Sequence, residues 1–200
     1  EREDLALETS RALLAIDADP SYMREGTSGL GHAAIRGHAR VIELLLSLVR
    51  DEVLNSAVSE ASREGAESGL RELCTRGKGR IDFGYRFEPF DPALTAAVNK
   101  GHHNCIKVLL EAGANPNQPP AMLADAPIIA AVRTQDHESI RLLLAAGADP
   151  AMAWDAPMIG RHSALDVARE MDDPAIVTLL QDHLRAKDAP RIDPVGATPA

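Results

Sequence analysis

The stretch "AVNKGHHNCIKVLLEAGANPN" (97–117) is answered 34 residues later by "AVRTQDHESIRLLLAAGADP" (131–150), and "AIRGHARVIELLL" (34–46) carries the same phrase earlier. Each reads small residue, short polar turn, then an amphipathic run ending in leucines. Two looser copies keep this grammar, "SAVSEASREGAESGLRELCTRG" (56–77) and "SALDVAREMDDPAIVTLL" (163–180). The opening "RALLAIDADP" (11–20) matches "RLLLAAGADP" (141–150), so a repeat truncated at its front begins the chain. This self-similarity constrains the fold more than any other feature. A unit this short cannot bury its own apolar face, so neighbouring units must stack into a solenoid.

The local chemistry of each unit predicts two helices joined by a tight turn. The turn slot falls at Gly37, Gly65, Gly101, Gln135 and Asp172, spaced by 28, 36, 34 and 37 residues. Ser28, Ser56 and Ser163 are candidate caps of first helices, and Pro92 and Pro127 stand near a first turn. Ala33-Ala34, Ala61, Ala96-Ala97, Ala130-Ala131 and Ala168 are small where adjacent helices must approach closely. Leu44-Leu45-Leu46, Leu109-Leu110, Leu142-Leu143-Leu144 and Leu179-Leu180 supply the apolar face of each second helix. Gly113 and Gly147 stand just past those helices, where a left-handed residue ends them.

Gly37-His38 and Gly101-His102 in the turn, with "GANPN" (113–117) and "GADP" (147–150) at the exit, resemble the ankyrin repeat, whose unit is about 33 residues. The threonine-proline-leucine-histidine start of that family is degraded here to "SGLG", "SAVS", "PALT", "APII" and "SALD". The resemblance covers roughly residues 5 to 185. It implies an all-α solenoid of helix-turn-helix units with projecting finger loops, and a role in binding other proteins. The units fall at about 1–20 (partial), 21–51, 52–79, 80–115, 116–149 and 150–185, with a Pro/Ala-rich tail at 186–200 that is expected to be flexible.

Departures from the period point to the fingers, since insertions in such arrays map to loops on one face. The first junction is about five residues short, the second about three long and the fourth about four long. The second holds "IDFGYRFEPF" (81–90), with four aromatics in a chain that is only 3% aromatic; the fourth holds "AMAWDAPMIGRH" (151–162). With Tyr22, every aromatic falls in a finger and none in a helix. Aromatics, Arg and Met are enriched in interface cores. Phe83, Tyr85, Arg86, Phe87, Phe90, Trp154, Met158 and Arg161 are therefore candidate contacts for a protein partner. The first helices should add His32, Arg36, Arg63, Glu64, Asn99, Lys100, Arg133, Thr134, Glu170 and Met171, a mixed-charge row suited to an acidic or mixed-charge peptide.

A second possibility is a pocket walled by the finger aromatics, holding an apolar small molecule, with His162, Asp155, Asp125 and Arg133 as polar or proton-transferring groups. An isomerase or cyclase would fit such a pocket. A third is a structural spacer or a dimer that buries the aromatics against a second copy.

Charge and motifs remove other classes. A net charge of −9 disfavours nucleic acid and anionic membranes as partners. No apolar run approaches the roughly 20 residues that span a bilayer, and no signal-peptide pattern opens the chain. The missing initiator Met suggests that Glu1 is not the native start. "GLGHAA" (29–34) lacks the third glycine of a dinucleotide loop, and GxSxG, HExxH and CxxC are absent. No cofactor or metal is implied. Cys74 and Cys105 fall on apolar slots of second helices, which marks them as core thiols and suits an intracellular, cytoplasmic setting.

Overall fold

The computed structural model describes residues 2–24, 27–84, 91–120, 125–156 and 160–188. Helix α1 (Arg2–Ala15) leads to a hairpin of β1 (Met23–Arg24) and β2 (Thr27–Ser28), antiparallel with Met23 opposite Ser28. Helix pairs follow: α2 (Gly29–Arg36) with α3 (Ala39–Leu46), α4 (Asp51–Arg63) with α5 (Glu67–Arg76), α6 (Ala93–Asn99) with α7 (His103–Glu111), and α8 (Pro127–Arg133) with α9 (His137–Ala145). A second hairpin, β3 (Trp154–Ala156) and β4 (Gly160–His162), precedes α10 (Ala164–Glu170) and α11 (Pro174–Asp188). Helices α2, α4, α6, α8 and α10 touch in series as an inner row; α1, α3, α5, α7 and α9 do the same as an outer row. The molecule is thus the all-α solenoid that the repeated phrase demands.

The turn slot explains how each pair closes. Gly37, Gly65, Gly101, Gln135 and Asp172 all adopt left-handed backbone, with φ of 69°, 70°, 67°, 53° and 53°. This conformation reverses the chain between inner and outer helix, and glycine takes it most cheaply. The core between the rows is aliphatic, with Leu30, Ile42, Leu54, Leu70, Leu94, Ile106, Leu109, Ile140, Leu143, Ile176 and Leu180 all fully buried. Burying such side chains contributes about 1.5–3 kcal/mol each before chain entropy is charged against it.

The short first junction has a specific structural answer. Only residues 47–50 join α3 to α4, no finger projects there, and α4 runs 13 residues where α6 and α8 run seven. Ser56 is therefore not a helix cap, as its position in the repeat suggested. It lies inside α4 and its hydroxyl donates to Glu60 Oε1 at 3.1 Å. Ser28 and Ser163 do cap α2 and α10, accepting from the Gly31 and Asp166 amides. At the far end α11 continues through residues 186–187 to Asp188, and Lys187 Nζ meets Asp149 at 3.2 Å, so the helix takes the first residues of the expected tail.

Candidate functional site

The described candidate residues gather at the ends of the inner-row helices. Each inner helix is only two turns long in α6, α8 and α10, so the residue just before the helix can reach the side chain at its end. Asn99 Nδ2 donates to Asp91 at 2.8 Å, Arg133 Nε pairs with Asp125 at 2.8 Å, and His162 Nδ1 faces Glu170 at 3.5 Å. All three contacts span eight residues. They tie the residue that enters each helix to the residue at or near its end, a regularity that is visible in the sequence only once the register is known.

Along the same edge, His32, Arg36, Glu64, Asn99, Lys100, Arg133, Thr134, Glu170 and Met171 are exposed, while Arg63 is half-buried with its Nε 3.5 Å from Glu64. The row therefore carries mixed charge in an acidic protein. Arg161 is exposed on β4 opposite Asp155. Trp154, opposite His162, and Phe83 are half-buried and pack on the core, so each turns at least one face inward. Tyr22 remains 67% exposed. Tyr85, Arg86, Phe87, Phe90 and Met158, and the side chain of Asp155, lie outside the described residues.

Of the proton-transfer group expected from the sequence, Asp125 pairs with Arg133, and His162 Nδ1 faces Glu170. Grooves lined wholly by described residues lie elsewhere. One of about 320 Å³ runs along the turns at Gly65, Gly101 and His102; another of about 300 Å³ lies between α5 and α7, at Arg71, Cys74 and Val108. Burial pushes both cysteine thiols up to about 11, which keeps them protonated and unreactive near neutral pH. Among the described residues no cluster of His, Cys, Asp and Glu is arranged to hold a metal ion, and no helix is long and apolar enough to cross a membrane.

The turn histidines are ties between repeats. His102 Nε2 lies 3.1 Å from the Arg63 carbonyl, one repeat back, with its ring over Gly65. His103 reaches forward: its Nε2 contacts the Asp136 carboxylate at 2.7 Å. Asp136 also accepts from the Glu138 and Ser139 amides and from the Ser139 hydroxyl at 2.6 Å. Burial acts to raise the Asp136 pKa, but the bonds from Ser139 and His103 outweigh it and hold the carboxyl below its usual range.

Sequence reasoning missed two residues. Arg80 sends Nη1 to the Leu46 carbonyl at 2.7 Å, Nη2 to the Val49 carbonyl at 2.8 Å and Nε to Asp51 at 2.7 Å. It thereby satisfies carbonyls that the short junction leaves open past α3, which only an arginine's planar fork can do at once. The other is Glu60, a carboxylate in the inner row, 1% exposed.

Stacked helix pairs closed by left-handed turns, with fingers between them, define a helical repeat protein. The family model for ankyrin repeats, in three copies, matches residues 81–153, which supports an ankyrin-repeat protein. No curated protein sequence matches it. Ankyrin repeats are generally protein–protein interaction modules and typically not catalysts.

Proposed function

We propose that this chain binds a partner polypeptide of mixed charge along the inner-row edge, between the fingers. The observation that carries the reading is the register of exposed side chains at the helix ends, one set per repeat, from Arg36 through Glu64, Lys100 and Arg133 to Met171. A peptide laid along that edge meets positive, negative and apolar groups in sequence, which gives specificity through charge complementarity more than raw affinity. Phe83, Tyr85, Arg86, Phe87, Phe90, Trp154, Met158 and Arg161 supply the anchors on the fingers, and Asn99 and Lys100 the contacts between them.

A photocrosslinking side chain placed at Lys100 tests the reading against the same probe at Lys107, which is exposed on the outer helix α7. Partner polypeptide is expected on the first probe and not on the second. Phe87→Ala or Trp154→Ala should weaken that binding by about 2 kcal/mol or more if the residue is a hot spot. Equal crosslinking at both probes, or loss of helical circular dichroism in the alanine variants, would remove the edge or the fingers from the interface.

A further inference from the structure

Five positions before the left-handed turn residue, the inner helices carry Ala96, Ala130 and Val167, all buried, and His32 in the first unit. In α4 the same slot holds Glu60. Its carboxyl is wedged against Gly31 of α2 so closely that a Cβ there would collide with it. Oε1 accepts from the Ser56 hydroxyl, and Oε2 has no partner among the described residues. A buried carboxylate with a bare oxygen is costly, whereas the neutral acid is tolerated.

We propose that Glu60 is a proton-operated latch between the first complete repeat and the second: closed while the carboxyl is protonated, and loosened when it ionises. Ser28 transmits the change. It ends β2, which packs on α4, and its hydroxyl accepts the Gly31 amide at 2.9 Å to cap α2. Water can reach an ionised Glu60 only if α2 and the β1–β2 hairpin lift from α4. The last element to be disturbed is thus the finger itself.

The described surroundings do little to neutralise the charge. Helix α6 has no ionisable residue, and the described side chains of the hairpin, Met23, Thr27 and Ser28, are uncharged. Helix α2 offers His32, bonded to the Ser28 carbonyl, and Arg36, both exposed. Helix α5 carries Glu67, Arg71, Glu72 and Arg76, which pair with each other on the outer side. On α4, Asp51 and Glu52 lie in the first turn, and Arg63 acts weakly from one turn on, itself beside Glu64. Burial is accordingly the leading effect on Glu60 and pushes its carboxyl up to about 7, against 4.5 in water. The closed state holds an extra proton between those values. Its stability is complete below about pH 4.5 and is lost as pH rises through about 7.

The test is read on the full chain. Titration of the Glu60 side-chain carbon by NMR, with the Ser28 amide as a second reporter, should give a shared midpoint near neutral pH. Proteolysis within residues 17–37, normalised at each pH to an unstructured peptide, should accelerate about tenfold between about pH 6 and about pH 8. Glu60→Gln should abolish that acceleration. Should Glu60→Gln not fold, the paired change Glu60→Ala with Gly31→Ala gives the slot the alanine of Ala96 and Ala130, fills the space left beside it, and should equally flatten the profile. A carboxyl midpoint near that of a free glutamate would overturn the latch. So would an unchanged proteolysis profile in the variants, or titration near neutral pH without any acceleration of cleavage.

Discussion

At the α7–α9 junction the interior is apolar: His103 grips Asp136 at the edge, while Leu109, Ile140 and Leu143 fill the inside. At the α2–α4 junction a carboxyl occupies the interior, and an arginine from the next finger, Arg80, seals the link that should have carried a finger of its own. The family match, residues 81–153, falls on the first kind of junction. The backbone plan is the same in both regions, since the left-handed turn residues recur at each. The difference teaches that stacking requires shape and turn geometry, and that the interior slots can carry other chemistry if a neighbour gives way, as Gly31 does for Glu60.

The end of the array sharpens the contrast. Four positions before the left-handed residue, Leu109 and Leu143 are 0% exposed, yet the equivalent Leu13 in α1 is 49% exposed, beside a groove of about 240 Å³ lined by Ser10, Leu14, Pro20 and Tyr22. The outer helix α1 packs on α3. Leu143→Ala should therefore cost about 3 kcal/mol in urea denaturation, within the range of buried leucine truncations, and Leu13→Ala less than about 1 kcal/mol. Similar costs at the two sites would break the comparison, showing that Leu13 is covered in solution.

Arg80→Ala comes next. Leaving two carbonyls and Asp51 without their guanidinium partner should cost about 2 kcal/mol, and Arg80→Lys should recover only part, because an ammonium cannot serve all three acceptors in one plane. A hydrogen-exchange measurement should place the loss at residues 46–54. An unaltered stability for Arg80→Ala would mean that water replaces the staple.

The smallest effect belongs to the regular half. Asp136→Ala removes the α9 cap and the His103 contact together, for about 1 kcal/mol. With the Asp136 pKa held below 3.8, this stabilisation is present above about pH 4 and is lost as the pH falls through the lowered value. Wild type and Asp136→Ala should thus converge in stability in acid, the opposite slope from the Glu60 latch. That opposition separates the two junctions by pH alone.

Much of this was legible in the residues. Turn glycines, alanine pairs and leucine triplets repeat with a period, and each reports a local requirement: positive φ, close helix approach, an apolar stripe. Those requirements determine an all-α solenoid and its turn positions, including Gln135 and Asp172, which take the turn without being glycine. The short first junction was legible as a deletion, yet its consequence was not. Ser56 has the composition of a cap, and only the continuous helix from Asp51 shows it bonding Glu60 instead.

Contacts between units were beyond the linear pattern, because each joins residues about one repeat apart whose relative placement depends on how the units stack. Arg80 with the Leu46 carbonyl, His103 with Asp136, and Glu60 against Gly31 are of this kind. Sequence periodicity determines which backbone is built, since turn and helix preferences act over a few residues. Tertiary structure alone decides which polar groups are dry, because desolvation depends on the neighbouring repeat, and in this protein it sets Glu60 apart from every residue in its slot.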